Sequence, residues 1–135
     1  MLKYLLSLGN IIDSNSYKSA VASGNLDILK ILYNKGKSIG HYLKWNYLTY
    51  ESAIINGKLD CLKFLVTHNC PRSGYGCSSA AKNKQFACLK YLCNAKIDNY
   101  SDKNLIGYAA QSGCLKCLKY IHESTVDSKI FKYGY

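Results

Sequence analysis

Apolar residues recur along this chain at helical spacing, and the pattern returns four times. Leu26, Leu29, Leu32 and Tyr33 form one set. Leu59, Leu62, Leu65 and Val66 form a second, and Phe86, Leu89, Leu92 and Cys93 a third. The stretch from Cys114 to Ile121 continues the series. Steps of three and four place each set on one stripe of a helix. A lysine follows each central leucine, at 30, 63, 90 and 119, and is expected to face water. A shorter run of small residues precedes each stripe: Ser19-Ala20-Val21, Ser52-Ala53-Ile54, Ser79-Ala80-Ala81 and Tyr108-Ala109-Ala110. Small side chains let two helices approach closely. Glycine closes this run at 24, 57 and 113, where a left-handed residue can end a helix. The third copy has Lys84 there, so its turn is either strained or built differently.

The unit is therefore helix, tight turn, helix and connection. Leu29, Leu62, Leu89 and Leu118 set its register, at intervals of 33, 27 and 29 residues. Such a unit cannot bury its apolar face alone, so units stack. The expected fold is all-α, a solenoid of stacked helix-turn-helix repeats over residues 1–123. It comprises a half repeat over 1–9 and repeats over about 14–36, 47–70, 75–96 and 104–123, with a tail over 124–135. The opening Leu2-Lys3-Tyr4-Leu5-Leu6 lacks a first helix, and the final connection stops at Tyr135. The pattern thus reads as part of a longer array or as a shortened product with improvised ends.

Charge adds a lysine-rich surface. The net charge is +10 across 135 residues, and Arg72 is the only arginine. Arginine is the preferred side chain for bidentate phosphate and base contacts, so lysine alone fits solubility and loose attraction better than sequence readout. No apolar run approaches the roughly 18 residues needed to cross a bilayer, so no membrane role is expected. Seven cysteines invite a disulfide reading. The odd count, the absence of a secretion signal and the helical context argue instead for free thiols in a reducing, cytoplasmic setting.

The repeat resembles the ankyrin repeat, which reads Leu-Ala-Ala, two variable residues, Gly-His, then Val-Val-Lys-Leu-Leu. Ser52-Ala53 through Leu65 matches its alanine, glycine and Leu-Lys-Phe-Leu parts. The Thr-Pro-Leu-His-x-Ala half is absent, and Leu48-Thr49-Tyr50-Glu51-Ser52-Ala53 stands in its place. Cys70-Pro71-Arg72, Cys77-Ser78-Ser79-Ala80-Ala81 and Cys88-Leu89-Lys90-Tyr91-Leu92 are similar to a short, cysteine-rich variety found in giant viruses and protists. There a tryptophan stands at the place of Arg72. The resemblance implies an ankyrin-like solenoid that binds a protein partner through its concave face and connecting loops, without catalysis or cofactor, in the cytoplasm (a host cytoplasm, if the chain is viral).

Candidate chemistry does not displace that expectation. Cys61, Cys88 and Cys117 share one repeat position with Ile28, which makes it an apolar slot. Cys77 falls in another apolar series, with Tyr17, Tyr50 and Ile106. Cys114 and Cys117 form a CxxC, but no second pair completes a zinc site. Cys114 aligns with Asn25, Lys58 and Gln85, a variable position, so the spacing reads as accidental. His41, His68 and His122 read as surface or capping residues. No P-loop, HExxH, nucleophile elbow or paired carboxylates appear, so no enzyme, metal or cofactor is expected. The candidate protein-binding residues are Tyr42, Trp45, Tyr47, Glu51, Asn56, Arg72, Tyr75, Lys82 and Gln111. They combine first-helix positions with the aromatic, basic connection around Trp45, and aromatic residues are common binding anchors. Packing of Trp45 on the array is the competing reading. The alternative functions are nonspecific nucleic-acid association through the lysine face, or a degenerate fragment with no retained role.

Overall fold

The computed structural model describes residues 12–38, 45–97 and 104–127. Capping boxes start two of the helices. The Ser16 N–H donates to the Asp13 carboxylate at 3.0 Å, and the Asp13 N–H donates back to the Ser16 hydroxyl at 3.3 Å. The Leu48 N–H donates to Asn46 Oδ1 at 2.9 Å, while the Asn46 N–H donates to Thr49 Oγ1 at 3.3 Å. These reciprocal bonds satisfy N–H groups that a first turn leaves unpaired. They open α1 (Ser14–Ala22) and α3 (Tyr47–Ile55). The matching short helices later in the chain are α5 (Gly76–Lys82) and α7 (Leu105–Ser112). Each is followed by a partner: α2 (Leu26–Ser38), α4 (Leu59–Thr67), α6 (Phe86–Asn94) and α8 (Leu115–Asp127). No strand occurs among the described residues.

One turn joins the two helices of every pair. After α1, the Gly24 N–H bonds to the Val21 carbonyl at 2.9 Å and the Asn25 N–H to the Ala20 carbonyl at 3.0 Å. Gly57 and Lys58 repeat this arrangement, as do Lys84 and Gln85, and Gly113 and Cys114. The pattern is a Schellman motif, which requires a left-handed residue just past the helix. Gly24, Gly57 and Gly113 supply it with φ of 75°, 67° and 76°. Lys84 adopts the same conformation with φ of 59°. The third turn is thus built like the others, and its lysine bears the steric cost that glycine avoids. Asn69 and Lys96 close α4 and α6 in the same way, with φ of 61° and 55°.

The chain divides into two compact units at Ser73 and Gly74. In the first unit, α1 packs on α3 and α2 on α4, so two hairpins stack with like helices adjacent. In the second, α5 packs on α7 and α6 on α8 in the same way. Leu29, Leu62, Leu65, Leu89 and Leu92 are buried, as the helical stripes require. Burying each leucine side chain contributes roughly 1.5–3 kcal/mol. Hydroxyls link neighbouring short helices: Ser52 Oγ donates to the Lys18 carbonyl at 3.4 Å, and Ser112 Oγ to the Ala81 carbonyl at 2.8 Å. Among the described residues, every buried side-chain nitrogen or oxygen has a partner.

Three positions depart from the aligned pattern. Ile28 is 41% exposed, although Cys61, Cys88 and Cys117 are buried in the same slot. Ile106 is 38% exposed, whereas Tyr17, Tyr50 and Cys77 are buried. Leu118 is half-buried. Ile28 belongs to the first described hairpin, and Ile106 and Leu118 to the last. A stripe closes only when a further helix lies against it, and no described hairpin lies beyond these two.

Replacing Lys84 with glycine removes the left-handed penalty while keeping both turn hydrogen bonds. Lys84→Gly is therefore expected to raise stability by about 1 kcal/mol and the melting midpoint by a few degrees, measured by thermal circular dichroism. Gly57→Ala is expected to lower stability by a similar amount.

Candidate functional site

Among the described residues of the first unit, the largest apolar exposure lies along α3. Tyr47 is 52% exposed, Leu48 44% and Ile55 46%. Positions 47, 51 and 55 share one side of a helix, and 48 borders them. Glu51 sits half-buried between Tyr47 and Ile55, and its carboxylate accepts a hydrogen bond from the Ser73 hydroxyl. Asn56 ends the row; its amide donates to the Ser52 carbonyl at 2.8 Å. Arg72 is exposed in the connection just before Ser73. On the neighbouring α1, Lys18 and Ser23 are exposed. The face therefore has an apolar strip of tyrosine, leucine and isoleucine, with polar and charged groups around it. Its α1 counterparts of Tyr47, Leu48 and Ile55 are Ser14, Asn15 and Ala22, so within the first unit α1 carries no such strip.

Trp45 is not part of that face. Its ring is 6% exposed and packs against Tyr17 at 5.8 Å, Tyr33 at 5.1 Å and Phe64 at 6.4 Å between centroids. Tyr33 continues the cluster to Phe64 and His68, and His68 stacks on Phe64 at 4.0 Å. The Tyr17 hydroxyl donates to the Leu32 carbonyl at 3.1 Å inside the same unit. Aromatic surface of this size is worth more buried than exposed, and the cluster fills the gap between α2, α4 and the connection before α3. Trp45 is thus a packing residue, in line with the competing reading. His68 Nδ1 lies 2.8 Å from the Phe64 carbonyl, so the ring caps the end of α4. Tyr42 lies outside the described residues, as does His41.

The remaining candidates belong to the second unit. Tyr75 is 64% exposed at the start of α5. The Lys82 ammonium stands over the Tyr108 ring at 4.3 Å from its centroid, a cation–π contact between α5 and α7. Gln111 is exposed on α7. Leu48 and Ile55 were missed by sequence reasoning. Both occupy apolar positions inside a strongly apolar helix, where buried and exposed faces cannot be told apart by periodicity. The lysines at 30, 63, 90 and 119 are all exposed, as their register requires.

The cysteines separate into two kinds. Cys61, Cys70, Cys77 and Cys88 are buried and unbridged. Burial pushes the Cys70 thiol up to about 12 and the Cys88 thiol to about 11, which holds both protonated. Burial also raises Cys61, with the Asp60 carboxylate adding to it. Cys93 is half-buried, and a hydrogen bond with Cys77 lowers its thiol against the opposing effect of burial. Cys114 and Cys117 differ from all of these: they are joined as a disulfide, with Cα atoms 5.2 Å apart. The expectation of seven free thiols is corrected here. One helical turn brings the two side chains together, because Cys114 precedes α8 and Cys117 completes its first turn. Among the described residues, no three histidine, cysteine or acidic side chains converge as metal ligands, and no helix is long and apolar enough to cross a membrane.

No protein-family model and no curated protein sequence matches the chain.

Trp45→Ala is expected to act on stability. Emptying an aromatic site of this kind costs about 3–5 kcal/mol, which chemical denaturation followed by circular dichroism will read. Tyr47→Ala, on the exposed strip, is expected to change stability by less than about 0.5 kcal/mol.

Proposed function

We propose that this chain is an ankyrin-like repeat protein that binds another protein, without catalysis, through the exposed short-helix face of its first unit. The observation that carries this reading is the strip of Tyr47, Leu48 and Ile55 on α3. Exposed tyrosine and aliphatic side chains within a polar surround have the composition of an interface core and rim. Glu51, Asn56 and Arg72, with Lys18 and Ser23 on α1, form the surround. Backbone position is fixed by the turns at Gly24 and Gly57 and by the hydroxyl link from Ser52 to α1. A partner therefore meets a preorganised surface and little ordering entropy opposes binding. The ankyrin-like reading is supported by four hairpins with the same turn and by like helices stacking within each unit. Tyr75, Lys82 and Gln111 are secondary candidates, confined to the second unit.

The test is a Tyr47→Ala, Leu48→Ala, Ile55→Ala triple variant of the full chain. Its far-ultraviolet circular dichroism is expected to match the parent. Partners are first captured with the parent protein from the native cell, then identified and titrated in purified form. The triple variant is expected to bind the purified protein partner about thirtyfold more weakly or worse, whereas Lys30→Ala, Lys63→Ala leaves affinity within about twofold. Unchanged affinity in the triple variant rejects the site. Capture that vanishes with nuclease, or falls steeply between about 50 and 200 mM salt, rejects the reading in favour of nucleic-acid association.

A further inference from the structure

We propose that Cys114 and Cys117 are a reversible dithiol–disulfide site, oxidised by small anionic disulfides of the glutathione class, with Cys114 the attacking sulfur. The inference does not rest on the protein-binding face, which lies in the other unit. Cys114 is the N-cap of α8: its carbonyl accepts the Leu118 N–H at 3.0 Å, and its sulfur accepts the Cys117 N–H at 3.3 Å. A helix N-terminus favours negative charge, and the thiolate is the form that attacks a disulfide. No acidic residue lies in the first turn of α8, and Lys116 and Lys119 are exposed beside it. The two ammonium groups and the helix N-terminus suit the carboxylates of a glutathione-type disulfide. Leu115, 62% exposed, adds an apolar contact at the entrance. Cys114 is half-buried and reachable, while Cys117 is fully buried beneath it. That is the ordering of an attacking and a resolving sulfur.

The corresponding position in the first hairpin shows what capping alone requires. Asn25 Oδ1 accepts the Ile28 N–H at 3.1 Å, the same bond that the Cys114 sulfur makes. An oxygen is the better acceptor, so capping does not explain a sulfur at 114. Cys61 and Cys88 occupy the slot of Cys117, but Lys58 and Gln85 precede them by three residues, so neither has a cysteine partner across the turn. Only the last hairpin carries both sulfurs.

The exchange balances as follows. The Cys114 thiolate, its proton given to solvent, attacks one sulfur of the small disulfide RSSR. The S–S bond breaks, RS⁻ leaves and takes up a proton, and Cys114 carries a mixed disulfide. The Cys117 thiol loses its proton and attacks the Cys114 sulfur, forming the internal bond and expelling the second RS⁻, which is protonated. Two protein thiols are oxidised and one RSSR is reduced to two RSH. Reduction by excess thiol reverses both steps.

The experiment uses the full chain, reduced, desalted and equilibrated in buffers of graded oxidised-to-reduced glutathione ratio. Acid quenching, alkylation and peptide mapping then locate the oxidised sulfurs. The expected first product is the Cys114–Cys117 bond, with two alkylatable thiols lost together and recovered with dithiothreitol. In Cys117→Ser the glutathione adduct is expected to persist on Cys114. In the reduced parent, Cys114 is expected to alkylate about tenfold faster or more than Cys61, Cys70, Cys77 or Cys88. Oxidation that appears first at Cys93 or Cys77 overturns the proposal. So does retention of all seven thiols across the series, or a Cys117→Ser variant that acquires no adduct at Cys114. The Cys117→Ser variant is compared with the parent by circular dichroism; the mapping of the parent chain decides the outcome if the variant fails to fold.

Discussion

The left-handed residue at the end of each short helix is the constraint on which the structure depends. A Schellman turn fixes both the direction and the offset with which the chain re-enters the next helix. With that offset fixed, Leu29, Leu62 and Leu89 arrive at equivalent buried places, and short helices meet short helices within each unit. Were the turns loose, the same stripes could pair in several registers. The hydrogen bonds from Asn25, Lys58, Gln85 and Cys114 back to Ala20, Ala53, Ala80 and Ala109 show one geometry used four times. Alanine at that accepting position also keeps the short helices thin, which close stacking needs.

A surface built on such a frame is positioned by backbone and not by its own side chains. Ser52 and Ser112 tie neighbouring short helices together from within, and Lys82 over Tyr108 does so from outside. Tyr47 and Ile55 lie exposed on that scaffold, outside its packing. This separation of support from contact is why repeat proteins bind varied partners with one architecture.

Much of the architecture was legible in residues alone. Spacing of three and four marked the long helices, and glycine at 24, 57 and 113 marked the turns. Lys84 stands where the other copies have glycine, and its turn keeps their shape with the lysine in the left-handed region. Burial at Ile28, Ile106 and Leu118 was not legible, because a repeat position predicts burial only where a neighbouring hairpin covers it. Trp45 lies in a connection without periodicity, so its partners Tyr17, Tyr33 and Phe64 could not be named in advance. Alignment hid Cys114 as well. A helix N-cap accepts asparagine, lysine, glutamine or cysteine, so variability at that position conceals chemistry that appears only when Cys117 lies one turn away.

The strained turns have one more consequence. Lys84 and Lys96 sit exposed at left-handed positions immediately beyond α5 and α6. A protease that cuts after lysine needs several residues drawn out straight in its cleft, and neither site offers that while its two turn bonds hold. Cleavage at these lysines thus awaits local unwinding, so the rate of nicking at each is a natural gauge of how often that corner of the molecule opens.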